Sequence, residues 1–335
     1  MDVVHALGPV MEQSVKKLGA AILIAGPTAS GKSALALVLA QRLGGVVINA
    51  DSMQVYRELR ILTARPTPEE EAMAPHALYG VHPASRAASV AWWREAALEA
   101  MAQAKAAGLL PILCGGTGLY FRSLTEGLSE LPAIPPEARE EARRLLAEEG
   151  PEALHARLAV ADPRSAAKLR PSDSQRLARA WEVWRGTGRG IADWQEDAPS
   201  TGPAPYAFRA IRLDPPREVL RQAIIRRWDA MLAAGAMEEV RALLDQQLDP
   251  ALPAMRAHGV PELSAVLRGA LSLEEAGRRA TLAIGQYTKR QATWFRHHPL
   301  AAPSGAHIIN ARIEGVEQFS ESRLGEILAF LKTSG

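Results

Sequence analysis

The sequence predicts a parallel α/β sheet flanked by helices and interrupted by an all-helical insertion. Three observations lead there. Short apolar runs alternate with helix-patterned stretches in the first third of the chain. The run "LIAGPTASGKSALALVLAQRLGG", Leu23 to Gly45, joins a strand, a glycine loop and a helix. After Leu131 the texture turns helical and charged. Alternating strands and helices give a parallel sheet covered on both faces.

The elements follow in order. "AAILIAG" is a continuous apolar run of the kind a buried strand shows, and "SALALVLAQRLGG" has helical spacing with Gly44 as its stop. "GVVINADSMQVY" reads as a second strand ending near Asp51. "VAWWREAALEAMAQAKAAG" reads as a helix stopped by Gly108, and "LLPILCGGTGLY" as a third strand with a glycine turn. Pro132, Pro135 and Pro136 mark the entrance of the helical stretch, and "EDAPSTGPAPY" its exit at Glu196 to Tyr206. "FRAIRL" is one more strand, and helices run from Pro216 to His297. The resulting division is a loosely held extension at 1–18, a P-loop NTPase-like core at 19–131 and 205–335, and a helical insertion at 132–204.

At 335 residues the chain exceeds what one compact core usually holds, and 47% apolar with 23% charged residues excludes a disordered chain. The single cysteine, Cys114, cannot form an internal disulfide, and there is no Cys/His framework for zinc. No window reaches the apolar length of a membrane span, and no basic leader precedes an apolar core. A cytoplasmic monomer is the expectation. Net charge is only +2, but Arg157 to Arg189 carries eight basic residues against three acids, and Arg278 to Arg296 carries five with none. Two basic runs in a nearly neutral chain fit a polyanion partner, or solvated helix faces.

Gly26 to Ser33 matches G-x-x-x-x-G-K-[ST]. Such a loop turns backbone N–H groups inward around phosphate at the positive end of a helix. Gly26, Pro27, Thr28, Ala29, Ser30 and Gly31 form the cradle, Lys32 neutralises phosphate oxygens, and Ser33 offers its hydroxyl to Mg²⁺. Asp51, at a strand end facing that loop, suits a Mg²⁺ ligand or a proton acceptor, or else caps a helix starting at Ser52. Gly115, Gly116 and Gly118 around Thr117 permit close approach of a ligand, or make a structural turn. Of the adjacent Trp92 and Trp93, one is expected to pack inward and the other at a domain seam. Trp181 and Trp184 share one helical face, as core or as a stacking surface. His297 and His298 read as a helix exit.

With these pieces in place, the chain resembles the bacterial tRNA dimethylallyltransferases of the IPP transferase family. The matching blocks are "GPTASGKS" from Gly26, "DSMQVYR" from Asp51, "PILCGGTGLY" from Pro111, "DPRSAAKLRPSDSQRLARAWEVWRGTG" from Asp162, "RRWDAMLAAGAMEEVRALL" from Arg226 and "YTKRQATWFR" from Tyr287. They span nearly the whole chain beyond residue 20. The resemblance implies that the P-loop holds the diphosphate of dimethylallyl diphosphate with Mg²⁺, and that the dimethylallyl group passes to N6 of the tRNA adenosine immediately 3′ of the anticodon. It implies a catalytic set of Asp51, Thr117 and Lys32, with Asp51 taking the N6 proton. Thr28 and Arg227 join the diphosphate contacts. Ser52, Met53 and Gln54 position the extruded base, and Thr117, Arg139 and the run Gln175, Arg176, Leu177, Ala178 and Arg179 touch the anticodon stem-loop.

The chain departs from the family pattern at "QAIIRR", with Ala223 where an arginine is usual, at "GVPE" (Gly259 to Glu262) for "GYKE", at "ILTARP" for "IGTAKP" and at "YTKRQ" for "YAKRQ". Three other readings share parts of the pattern: a nucleoside or small-molecule kinase using ATP, an isopentenyltransferase acting on free adenylate, and an RNA-binding scaffold with an inactive P-loop. The kinase leaves "DSMQVYR" and the basic insertion without purpose. Free adenylate does not need the basic insertion, and intact Lys32, Ser33 and Asp51 argue against the scaffold.

Overall fold

The computed structural model describes residues 19–197, 200–315 and 321–332. The extension read at 1–18 lies outside them. In chain order the elements are β1 (Ala20–Ala25), α1 (Lys32–Leu43), β2 (Gly45–Asn49), α2 (Pro68–Met73), β3 (His76–Ala77), α3 (Val90–Ala106), β4 (Leu110–Gly115), α4 (Gly118–Thr125), α5 (Pro136–Ala161), α6 (Pro163–Ala166), α7 (Ser174–Thr187), α8 (Ile191–Asp197), β5 (Ala207–Leu213), α9 (Arg217–Ala233), α10 (Ala236–Leu244), α11 (Val260–Leu267), α12 (Leu273–His297), β6 (Ala306–Ile309) and α13 (Glu321–Lys332). Two compact units result, one from Met1–Thr125 with Ala204–Gly335, the other from Glu126–Pro203.

In the first unit six parallel strands run in the order β3-β2-β4-β1-β5-β6. Both faces of β1 are buried, which is why its sequence is apolar without alternation. Ala21, Leu23 and Ala25 pack into a core with Trp93, Phe121 and Phe295, while Ile22 and Ile24 pack on Leu35 and Leu39 of α1. Gly44, at φ +61°, ends α1 in the left-handed conformation that glycine adopts without strain. The P-loop follows β1, Asp51 follows β2 and the Gly115–Gly118 turn follows β4. All three lie at the carboxyl edge of the sheet, where open α/β sheets bind ligands.

The second unit is helical. Ala142, Leu145, Leu154 and Leu158 of α5 pack against Leu177, Ala180 and Trp181 of α7. Gly150, at φ +81° ahead of Pro151, breaks α5. The unit starts at Glu126, earlier than the sequence boundary at 132, because the chain pairs with its own exit. Leu128 N–H donates to Thr201 Oγ1 and Thr201 N–H returns to the Leu128 carbonyl, both at 2.9 Å, and Ser129 bridges Ser200.

Further differences are local. β2 stops at Asn49 and no helix begins at Ser52. Two short strands, β3 and β6, and helix α13 extend beyond the sequence reading. Trp93 is fully buried, and Trp92 packs on His82 within the same unit, not at a seam. Among the described residues no helix is long and apolar enough to cross a membrane.

Candidate active site

The P-loop folds as its sequence requires. Gly31, at φ +90°, caps α1, and a Cβ there would lie 2.0 Å from the Ile313 carbonyl oxygen, so only glycine fits. Ala29 is also left-handed, at φ +65°, a conformation costing a residue with a side chain about 1–3 kcal/mol. Its methyl is buried against Leu220, Ala223 and Ile224, which helps to hold it there. The departure at Ala223 therefore leaves a small side chain packed behind the P-loop.

Asp51 is fixed by its neighbours. Trp93 Nε1–H holds the Asn49 carbonyl at 2.9 Å while its ring stacks on Tyr120. The fully buried Asn49 side chain accepts from Asp51 N–H at 2.8 Å and donates to the Asp51 and Leu78 carbonyls at 3.0 and 3.1 Å. Asp51 Oδ1 accepts from Met53 N–H at 2.9 Å, closing a turn where the sequence allowed a helix cap. Among the described residues Oδ2 has no hydrogen-bond partner. Thr117 braces the same turn: its Oγ1 accepts from Ser52 N–H at 2.9 Å and lies 3.3 Å from Ser52 Oγ, and its own N–H reaches the Ala50 carbonyl.

A residue that sequence reasoning missed joins these loops. Gln291, buried on α12, accepts from the N–H and hydroxyl of Thr28 at 2.9 and 3.2 Å and donates to the Gly116 carbonyl at 2.9 Å. A Cβ on Gly116 would lie 2.2 Å from Gln291 Nε2, which explains the glycine. The only sequence signal was the match of "YTKRQATWFR" to the family, with nothing to single out the glutamine.

One cavity brings Thr28, Asp51 and Arg227 together, walled by Met53, Leu62, Ile224, Met231, Ile284 and Tyr287, with His258 and the backbone stretch around Thr63. Gln54 shapes it indirectly, its Nε2 donating to the Thr63 and Ala64 carbonyls at 2.8 and 2.9 Å. Its amide nitrogen is thus committed to the cavity wall. Glu239 holds the loop just ahead of Thr63 by accepting from the N–H groups of Arg60, Ile61 and Leu62.

Two cations stand at this edge of the sheet, Arg227 on the cavity wall and Lys32 in the P-loop. Burial pulls the Lys32 ammonium below its ordinary value, and its Nζ reaches only the Pro27 carbonyl, at 3.4 Å. Burial and the nearby Arg312 do the same to Arg227. Neither has a carboxylate at ion-pairing distance among the described residues. Half-buried cations left without a carboxylate partner are expected where an anion is to bind. Burial pushes the Cys114 thiol up to about 12, so it stays neutral beside Lys32. Tyr287 is raised by burial and by the charge of Asp51, and His258 is lowered by burial, so both are neutral near pH 7.

The RNA-facing candidates lie in the other unit. Arg139 is exposed on α5 without an ion-pair partner among the described residues, and Gln175 and Arg176 are exposed on α7. Arg179 is half-buried and meets Glu182 at 3.1 Å. Leu177 is a correction: it is fully buried in the helical core, so its side chain packs α7 and cannot meet RNA. Ala178 is half-buried beside it. Trp181 is core as well, its ring 5.2 Å from Trp184.

The basic run also changes meaning. Arg157 pairs with Glu149, Arg164 with Asp193 and Glu196, Arg176 with Asp173, Arg185 with Glu141, and Arg189 with Asp197. Most of these acids lie outside the window in which the excess was counted. Lys168 and Arg170 remain exposed and unpaired among the described residues. The second run is partly neutralised too, by Glu275 and Asp214.

A parallel sheet with a glycine loop of P-loop sequence after its first strand, and a carboxylate after the second, defines an α/β protein of the P-loop-like class. The family described as IPP transferase matches residues 54–298, and the one described as isopentenyl transferase matches 19–75. A tRNA dimethylallyltransferase of Granulibacter bethesdensis is 61% identical over 93% of this chain and 98% of its own length. One of Gluconacetobacter diazotrophicus is 60% identical over 92% and 93%. Among solved structures, a tRNA isopentenylpyrophosphate transferase of Bacillus halodurans is 32% identical, covers 93% of this chain and 95% of its own, and superposes with a TM-score of 0.65. A eukaryotic dimethylallyltransferase acting on tRNA is 25% identical, covers 92% and 78%, and superposes with a TM-score of 0.76. The chain belongs to the IPP transferase family.

Proposed function

We propose that this chain transfers the dimethylallyl group of dimethylallyl diphosphate to N6 of the tRNA adenosine immediately 3′ of the anticodon. The observation that carries the reading is the cavity that Thr28 of the P-loop and Asp51 line together, with Arg227 on its wall. The N6 amine of adenine is a poor nucleophile because its lone pair is delocalised into the ring. The allylic carbon must therefore be made electrophilic by departure of diphosphate.

In this account the allylic C–O bond breaks with its electron pair leaving on diphosphate. Lys32, Arg227 and the P-loop amides receive that charge in a preorganised setting. The N6–C bond forms, and Asp51 Oδ2 takes the N6 proton. Thr117 acts by bracing Ser52 and the turn that carries Asp51. The apolar wall of Met53, Leu62, Ile224, Met231 and Ile284 suits a five-carbon allyl group and keeps water from the electrophilic carbon.

Mg²⁺ fits the donor set. Mg²⁺ is a hard cation that takes oxygen ligands, and the Ser33 hydroxyl beside the diphosphate oxygens would offer them. Ser33, exposed at the start of α1, would hold it with the diphosphate, and its chemistry there is to neutralise the leaving group. On the helical unit, Arg139, Gln175, Arg176 and Arg179, joined by Lys168 and Arg170, would hold the anticodon stem-loop, so that the adenosine can leave its stack. This reading includes a monomer that works in the cytoplasm, where tRNA is found.

The test is transfer of label from dimethylallyl diphosphate to an anticodon stem-loop RNA, run beside AMP and beside ATP hydrolysis. Label on the RNA alone is expected. Label on AMP alone would make this an adenylate enzyme, and ATP turnover without transfer would make it a kinase.

A further inference from the structure

Two successive carbonyls of the P-loop are held from outside by the segment that follows β6. Arg312 Nε–H donates to the Ala29 carbonyl and Ile313 N–H to the Ser30 carbonyl, each at 3.0 Å. Arg312 is itself oriented: its Nη1–H donates to Glu314 at 3.0 Å, and its side chain is 18% exposed. The same segment presses on Gly31, where no Cβ would fit. This segment lies beyond the stretch 54–298 that matches the IPP transferase family.

A loop that turns its N–H groups inward must turn carbonyls outward. Ala29 makes that turn in a left-handed conformation that an alanine leaves readily unless its surroundings fix it. The buried methyl holds one side of it. The Arg312 hydrogen bond holds the carbonyl, and with it the direction of the next N–H.

We propose that Arg312 and the Ile313 backbone form an external clasp that holds the P-loop in its anion-receiving shape before substrate arrives. Arg312 is then a positioning residue for the allylic diphosphate, acting through Ala29. The inference rests on the reading of the P-loop as a diphosphate seat. Preorganisation of this kind acts on affinity for the anion and leaves the RNA contacts untouched.

The experiment is calorimetric titration of the full chain with inorganic diphosphate and Mg²⁺, beside thermal melting and stem-loop RNA binding. Arg312→Ala is expected to weaken diphosphate binding about tenfold with melting and RNA affinity unmoved. Adding Ala29→Gly in that background should recover part of the loss, because glycine takes the left-handed conformation without strain, although it gives up the buried methyl. Arg312→Lys, which keeps the charge but not both hydrogen bonds, should recover less. Arg312→Ala binding within twofold of the wild type overturns the clasp. So does full rescue by Arg312→Lys with none by Ala29→Gly, which would make Arg312 a simple charge. Should Arg312→Ala not fold, the pair Arg312→Lys and Arg312→Lys/Ala29→Gly decides on the same terms. A wild-type chain that binds no diphosphate overturns the underlying reading instead, and is told apart because all variants then look alike.

Discussion

The cations around the P-loop and the arginines of the helical unit have the same chemistry and opposite surroundings. Among the described residues neither Lys32 nor Arg227 has a carboxylate at ion-pairing distance, and desolvation pulls both below their ordinary values. Arg164, exposed on the helical unit, is held above its ordinary value by Asp193 and Glu196. Exposed pairs of that kind are screened by solvent and add little stability, so they chiefly solubilise and brace helices. Partly desolvated cations without a close counter-charge are unfavourable, and a bound anion relieves that cost. Surroundings, more than number, tell a binding cation from a structural one.

The largest expected break of this comparison is Lys32→Ala. With dimethylallyl diphosphate and stem-loop RNA, kcat/KM should fall by about 10²–10³, the usual scale for losing one charge-stabilising group, while RNA affinity holds. An equal fall in RNA affinity would merge the two classes of cation.

A smaller effect is expected from pH. Since the Lys32 pKa lies below 10.5 in the empty protein, the ammonium is lost earlier on raising pH than an ordinary lysine would lose it. Bound diphosphate favours the charged form, so affinity for inorganic diphosphate should decline as pH rises through the lowered value. Calorimetry from neutral pH to the ordinary lysine value reads this, and Lys32→Arg should push the decline to higher pH. A decline that begins only at the ordinary value contradicts the burial argument.

The smallest effects separate arginines within the helical unit. Arg139→Ala or Arg170→Ala should weaken stem-loop binding a few-fold and lower the slope of log affinity against log salt by about 0.7–1, the share of one phosphate contact. Arg164→Ala, already paired twice, should leave that slope unchanged. Equal slopes for all three would mean that pairing in the free protein does not select the contacts.

Sequence and structure agree where chemistry is local. The P-loop and Asp51 were legible because each follows an apolar run that could only be a buried strand, and a parallel sheet puts strand ends on one edge. Gln291 was not, because its partners Thr28 and Gly116 stand 263 and 175 residues away and one glutamine in a basic helix carries no pattern. Leu177 was read as a contact because a family block is contiguous, whereas a helix turns one residue in it toward the core. The basic excess pointed to a polyanion but overstated the free charge: Glu141, Glu149, Asp193, Glu196 and Asp197 lie beyond the window and fold back onto its arginines. β3 and β6 escaped notice as edge strands of two and four residues, too short for a pattern.

The central claim is that Asp51 Oδ2 takes the proton in the cavity that the P-loop shares. Single-turnover transfer from dimethylallyl diphosphate to stem-loop RNA by Asp51→Asn tests it most directly, because asparagine keeps the shape and its oxygen can still accept from Met53. The account predicts a rate lower by about 10²–10⁴, the range for a lost general base, with diphosphate and RNA affinities within about threefold of wild type. Transfer within tenfold of wild type, at unchanged affinities, would contradict it.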